Sequence, residues 1–324
     1  LEQGRVNGTY FDCAVFTNLS RDHLDYHGNM AEYGAAKAKL FKEFQLKHAV
    51  VNIEDSFGRE LFMDLLARKS MTVWAYGLNK ASFQSLENLQ DRFNAIYFDE
   101  VLFEKNTYQC KVRIAGKQYE VRIPVVGLFN LSNALAVLST LIATGTGISD
   151  ALSKMSLLTP VKGRMEIINV NQINAPLMIV DYAHTPDALE KVLETLKPIA
   201  HQRQGKIICV FGCGGDRDSE KRPIMGSIAQ SHADHLIITS DNPRFEDPHK
   251  IIAMIESGID HSIHLPIEKI VDRASAILTA VKLAKKNDIV LVAGKGHETT
   301  QEIQGKRFEF SDQMHLRLAC GGSV

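Results

Sequence analysis

The sequence predicts an α/β protein of two domains, a mixed sheet with crossover helices followed by a doubly wound parallel sheet. Three observations predict it. Short apolar runs alternate with helix-period segments along most of the chain, which is how parallel sheets are built. That rhythm breaks over residues 95–124, where apolar and polar residues alternate as in an antiparallel sheet with one wet face. The length of 324 residues suits roughly two domains of about 150 residues each.

The elements follow in order. Residues 10–16 read as a buried strand and 30–44 as a helix, because Tyr33, Lys37, Leu40, Phe41 and Phe44 recur at helical spacing. A strand at 48–53, a helix at 57–68 and a strand at 71–76 continue the βαβ pattern. The runs YFDEVLF, YQCKVRI and KQYEVRIP are three antiparallel strands, the last two meeting in a hairpin at Ala115-Gly116. An apolar helix opens at 126–130 and runs to about residue 143. Composition shifts at Thr159–Arg164, which places the boundary and gives domains 1–160 and 161–324. Beyond it come strands at 165–170, 177–181, 206–211, 235–239, 262–265 and 288–293, with helices near 186–198, 220–231, 248–258 and 268–285. Thr185 before Pro186 is an N-cap followed by proline at the first helical position. This half is Rossmann-like.

Bulk properties exclude several classes. A net charge of −1 gives no electrostatic case for nucleic acid or a membrane surface. No apolar run approaches the roughly 18–20 residues that span a bilayer. The opening residues are polar, unlike a secretory signal. Five scattered cysteines form no CxxC pair and read as free thiols of a cytoplasmic protein. Separately, the protein is expected to be a monomer.

Chemistry-bearing residues cluster where strands end. Asp22, His23, Asp25 and His27 follow the first strand, and Lys37 on the next helix faces back toward them. Oxygen donors with an imidazole suit Mg²⁺ or Mn²⁺ holding a phosphate, although a capped polar loop fits the same composition. Asn130 and Asn133 open an apolar helix, where an amide can read an adenine edge or simply cap. Arg164 sits at the domain boundary, and Asp181 and His184 bracket the end of a buried strand. Three further loops carry Arg217, the run Asp241-Asn242-Pro243-Arg244, and Gly294 with Glu298. Two cations and an anion at neighbouring strand ends could hold an amino acid, carboxylates on the arginines and ammonium on the glutamate.

Taken together, FTNLSRDHLDYHG, DYAHTPDALEK, FGCGGDRD, KRP, DNPR and GKGHE resemble the Mur ligases, and within them those that add diaminopimelate, over nearly the whole chain. The resemblance implies an incomplete P-loop-type ATPase domain followed by the Rossmann-like ligase domain. It implies that His23 and a CO₂-modified (carbamylated) Lys37 hold Mg²⁺, and that Gln3 and Arg5 bind a UDP-muramoyl dipeptide. Asn130, Asn133, Arg164, Asp181 and His184 would hold the nucleotide of ATP. Arg217, Asp241, Asn242, Pro243, Arg244, Gly294 and Glu298 would bind meso-diaminopimelate, Arg244 taking the second carboxylate that lysine lacks. The implied reaction is ATP-dependent amide formation through an acyl phosphate, in the cytoplasmic phase of peptidoglycan synthesis. The phosphate-binding GxxGK[ST] loop of the family is not found, and the first residue is Leu1. The chain is therefore expected to begin part-way through the ATPase domain and to lack ATP turnover alone. A lysine-adding homologue and a non-catalytic amino-acid-binding fragment are the alternatives. A folylpolyglutamate synthetase fits the architecture but not GKGHE or DNPR, and a dinucleotide oxidoreductase rests only on FGCGG.

Overall fold

The computed structural model describes residues 1, 4–19, 29–68, 71–104, 106–170, 172 and 174–321. The chain divides into two compact units, residues 1–124 with 128–158, and residues 125–127 with 159–324.

Unit 1 is built on one six-stranded sheet. Its elements are β1 (Cys13–Phe16), α1 (Met30–Lys42), β2 (His48–Asn52), α2 (Ser56–Leu66), β3 (Thr72–Gly77), a 3-10 helix (Lys80–Arg92), β4 (Asn94–Glu104), β5 (Thr107–Ile114), β6 (Lys117–Ile123), α3 (Leu128–Ala143) and α4 (Ile148–Met155). The strands lie in sequence order. β1 to β4 are parallel, and β5 and β6 turn antiparallel, so the change in alternation near residue 95 marks a real change in pairing. The helices start where side chains satisfy free backbone donors: Asn29 accepts from Glu32 N at 2.9 Å, and Asp55 from Gly58 N at 2.8 Å. One face buries Phe16, Phe41, Phe62 and Phe93 in a single cluster, with Phe62 and Phe93 edge to face at 5.0 Å. Gly58 is glycine because α2 crosses β2 closely; a Cβ there would lie 2.1 Å from the Asn52 carbonyl oxygen.

Unit 2 contains β7 (Glu166–Ile167), β8 (Leu177–Asp181), α5 (Pro186–Arg203), β9 (Ile207–Phe211), α6 (Lys221–His232), β10 (His235–Ile238), α7 (Pro248–Glu256), β11 (Ile267–Lys269), α8 (Arg273–Leu283), β12 (Ile289–Ala293), β13 (Thr300–Ile303), β14 (Lys306–Glu309) and α9 (Asp312–Ala319). The main sheet runs β11-β10-β9-β12-β8-β7, all parallel except β7. The last parallel strand, β12, returns to the slot between β8 and β9. Chain distance is thus erased, and the loops after β8, β12, β9 and β10 become neighbours at the carboxyl edge, where open α/β sheets bind ligands. β8, β9 and β12 are buried along their full lengths, which explains why they are apolar throughout except for Asp181 at the end of β8.

The structure corrects some boundaries. The strand expected at 262–265 is not there, and pairing begins later, at β11. The Ser262 and Ile263 amides are bound by the Asp260 carboxylate and carbonyl, and the Pro266 carbonyl is the first group to accept from β10. α5 runs past Pro198 to Arg203 and stops at Gln204, whose φ of 56° is left-handed. The 3-10 helix, α4, the β13–β14 hairpin and α9 were not expected. Every residue of β14 is exposed, so it carries no apolar signal to read. All five cysteines are free thiols; burial pushes those of Cys110, Cys209 and Cys213 up to about 12. Among the described residues no helix is long and apolar enough to cross a membrane.

Candidate functional site

In unit 1 the loop leaving β1 is fixed from three sides. Asn52 Nδ2 donates to Thr17 O at 2.8 Å, Leu19 N donates to Asp55 Oδ2 at 2.9 Å, and Lys37 Nζ donates to Asn18 O at 3.0 Å. Asp55 therefore caps α2 with one oxygen and holds the loop with the other. Lys37 is half-buried, with its ammonium 4.9 Å from the centre of the Tyr33 ring. It faces the β1 loop, as its spacing in the sequence predicts. His23 and Gln3 lie outside the described residues. Arg5 is exposed in a turn, and Asn130 (half-buried) and Asn133 (exposed) share one face of α3's first turns. Among the described residues, the grouping of three metal-capable side chains is Glu190, Glu194 and His232, on α5 and α6 and on no strand-end loop.

Unit 2 gathers its residues at the carboxyl ends of its strands. After β8, Asp181 accepts from Met165 N at 2.7 Å and Ala183 N at 2.8 Å. Burial raises its pKa, and these two bonds and the Arg164 charge partly offset that. The Arg164 guanidinium lies 4.8 Å from the centre of the Tyr182 ring, which also packs against His184 and His297. His184 Nδ1 is 2.8 Å from Tyr182 O; a carbonyl can only accept, so Nδ1 carries the proton and a neutral ring presents Nε2 as an acceptor. Gly163 is required here: with φ of 67°, a Cβ would lie 2.1 Å from His297 N.

The second cluster joins the loops after β9, β10 and β12. Asn242 Nδ2 donates to Glu298 Oε2 at 2.9 Å, and Lys295 Nζ donates to the same oxygen at 2.9 Å and to Asn242 Oδ1 at 3.0 Å. Lys295 is wholly buried. Glu298 is about a third exposed, and its Oε1 has no donor among the described residues. Arg244 Nη1 donates to Gly215 O at 2.6 Å, and its Nε lies 3.7 Å from Glu302 Oε2. Its backbone is left-handed, with φ of 50°, because its N–H and C=O bond the β13–β14 hairpin at Glu302 O and Gln304 N. Gly215 lies against the buried Pro243; a Cβ would come 2.0 Å from the Pro243 carbonyl. Gly294, with φ of 119°, lets Asp241 approach; a Cβ there would be 2.6 Å from Asp241 Oδ2. Arg217 is exposed on the glycine loop, near this group in sequence but bonded to none of it.

Of the expected residues, the structure joins Asp241, Asn242, Pro243, Arg244, Gly294 and Glu298, and separately Arg164, Asp181 and His184. Lys295, Tyr182 and Glu302 were missed. Lys295 stands in the GKGHE run, but only burial shows that it faces inward.

The glycine loop is held by Arg222, whose guanidinium is 1% exposed and bonds Glu246 with both Nη atoms at 2.8 Å and Gly214 O at 3.1 Å. Glu246→Gln is expected to destabilise unit 2 by about 2 kcal/mol, because a buried guanidinium loses its counter-charge. The Arg222 hydrogen bond lowers the Glu246 pKa. Its contribution is therefore present above the ordinary glutamate value and lost as pH falls through the folded one. Urea titrations between pH 3 and 7 should show a flatter acid limb in the variant; an unchanged limb would refute the assignment.

Fold and loop chemistry define a two-unit α/β protein with a cluster of charged and amide side chains at the strand ends of its second unit. Residues 1–141 match the Mur ligase middle domain and residues 163–296 the Mur ligase glutamate ligase domain. The chain belongs to the Mur ligases. It is 48% identical over 321 residues to the UDP-N-acetylmuramoyl-L-alanyl-D-glutamate–2,6-diaminopimelate ligase of Ralstonia nicotianae, covering 98% of this chain and 60% of that protein. It is 46% identical to the enzyme of that name from Chromobacterium violaceum, covering 96% and 59%. A solved structure of a ligase of that name superposes with a TM-score of 0.72 at 36% identity, over 99% of this chain and 62% of the other. A MurF ligase from Thermotoga maritima, solved with ADP, shares the fold at 16% identity and a TM-score of 0.59, over 88% of this chain and 58% of the other. The chain thus spans about 60% of the length of the relatives it matches.

Proposed function

We propose that this chain is the part of a diaminopimelate-adding ligase that receives the amino acid, and that unit 2 (expected as 161–324) is its ligase domain. The observation that carries the reading is the meeting of three loops distant in sequence: Asn242 bonds Glu298, and Arg244, on the same loop as Asn242, bonds the Gly215 carbonyl. The relatives named for this activity support it.

In this reading Glu298 receives an ammonium, while Arg244 and the exposed Arg217 receive carboxylates. One amino-acid end of meso-diaminopimelate is then fixed and the other amine left to react. The γ-phosphoryl group of ATP passes to the D-glutamyl carboxylate of UDP-N-acetylmuramoyl-L-alanyl-D-glutamate, giving an acyl phosphate and ADP. The amine attacks the acyl carbon, phosphate leaves, and the nitrogen loses a proton as the amide forms. The protein's part is positioning and charge balance. Arg164, Asp181, His184, Asn130 and Asn133 are proposed to hold the nucleotide, and Arg5 with Gln3 the dipeptide. Unit 1 (expected as 1–160) is the proposed nucleotide domain.

Mg²⁺ would supply neutralisation of phosphate charge. A lysine ammonium repels a divalent cation, so Lys37 fits only as its carbamate, whose oxygens are the donors Mg²⁺ prefers. His23 is its proposed partner.

Titration calorimetry of the chain with meso-diaminopimelate and with L-lysine tests the pocket. Saturable binding of the first, at least about tenfold tighter than the second, is expected. Absence of any binding, or a preference for lysine, would reject the reading.

A further inference from the structure

Two carboxylates lie within 3.9 Å of the buried Lys295 ammonium. Its Nζ lies 2.9 Å from Glu298 Oε2 and 3.9 Å from Asp241 Oδ1. Only the first is a hydrogen bond. Asn242 adds a second donor to the same Glu298 oxygen and accepts from Lys295 with its own carbonyl, closing a three-membered ring of bonds. Glu302 N also donates to that Asn242 carbonyl oxygen at 3.0 Å, which fixes the amide's orientation. Glu298 is thereby anchored through Oε2, and its side chain as a whole is about a third exposed. Asp241 is buried against Gly294, and among the described residues its carboxylate receives no such pair of donors.

We propose that Lys295 is a positioning residue of the amino-acid pocket: it selects Glu298, and not its neighbour Asp241, as the carboxylate that meets the ligand's ammonium. The inference rests on the amino-acid-binding reading above and deepens it. The electrostatics agree in direction. Burial works to raise Glu298, but the Asn242 and Lys295 hydrogen bonds and the Lys295 and His297 charges bring it below the ordinary glutamate value. Burial raises Asp241, and the Arg273 and Lys295 charges do not reverse it, while Glu298 and Asp312 push the same way. Two acids of one cluster are driven apart, and the one kept anionic is the one that reaches solvent. Arg273 cannot substitute for Lys295, because Asp312 occupies it in a two-pronged ion pair.

The test is calorimetry of the 324-residue chain with meso-diaminopimelate from pH 3 to 8, in buffers of differing ionisation enthalpy, a range that reaches below the ordinary glutamate value where the wild-type acid limb lies. For the wild type, binding without proton exchange near pH 7 is expected, because Glu298 is already ionised. Lys295→Met should weaken binding at least about tenfold at pH 7 and shift the acid limb of binding up by about one pH unit or more. At the acid end of the range it should also make binding release more protons than in the wild type, as the ligand's ammonium drives the unsupported carboxylate to ionise. Unchanged affinity, acid limb and proton count in a folded Lys295→Met would overturn the proposal. Should that variant not fold by circular dichroism, Glu298→Gln decides: binding should fall at least about tenfold and the wild-type acid limb disappear. A Glu298→Gln chain that binds like wild type with its acid limb intact refutes the assignment. Failure of the wild type to bind at all would instead refute the pocket itself.

Discussion

Arg273→Met is expected to lower the stability of unit 2 by about 3–5 kcal/mol, the scale for breaking a buried ion pair by removing one partner. Arg273 and Asp312 are both 0% exposed. The guanidinium meets the carboxylate through Nε and Nη2, each at 2.8 Å, and its remaining donors reach Ala293 O at 3.0 Å and Ser240 O at 3.3 Å. One side chain on α8 thus ties the ends of β12 and β10 to the first residue of α9. Burial alone would lower the Arg273 pKa, but the Asp312 charge and hydrogen bond outweigh it, and the net shift is upward. Methionine matches the length but leaves the Asp312 charge buried without a partner. Urea unfolding followed by circular dichroism measures the loss. Asp312→Leu added to Arg273→Met should recover at least half of it, since an apolar pair in place of a buried ion pair is often neutral. A single variant within about 0.5 kcal/mol of wild type would show that the pair contributes no net stability.

That pair also shows where sequence reading stops. Arg273 and Asp312 lie 39 residues apart, and neither stands in a conspicuous motif. Local periodicity gave β2, α2, β3, the antiparallel run and α3, because each buries one face within a single stretch of chain. It could not give β14, which buries nothing, or β11, whose start depends on an Asp260 turn that uses up the preceding amides. Among site residues, those carrying charge near glycine or proline or at the end of an apolar run were legible: Arg244 after Pro243, Glu298 two residues past Gly296, Asp181 closing the run before it. The glycines themselves were legible only as loop formers. Their tight packing, Gly163 on His297 and Gly215 on Pro243, is a tertiary fact. Lys295 was the instructive miss. A lysine between two glycines reads as exposed, and only the slot between Asn242, Glu298 and Asp241 makes it wholly buried.

Arg244→Ala is expected to weaken meso-diaminopimelate binding by at least about thirtyfold, the scale of a lost charge-assisted, partly desolvated contact. It should leave the weaker binding of L-lysine within about threefold. The reason lies in how the guanidinium is already used. Nη1 is engaged by Gly215 O and Nε is oriented by Glu302, so Nη2 is the edge left for a ligand. The ligand group that distinguishes diaminopimelate from lysine is its second carboxylate, so the arginine should act on discrimination more than on affinity for amino acids in general. Arg244→Lys should recover only part of the loss, because an ammonium offers a point charge where a planar fork is held in place. The left-handed backbone at this position adds a separate cost for alanine. Arg244→Gly removes that strain and should show the same loss of discrimination with a smaller loss of stability, read by thermal melting. Equal weakening of both amino acids in the alanine and glycine variants would mean that Arg244 supports the loop rather than the second carboxylate. The preference for diaminopimelate would then have to reside in Arg217, the exposed cation of the neighbouring glycine loop.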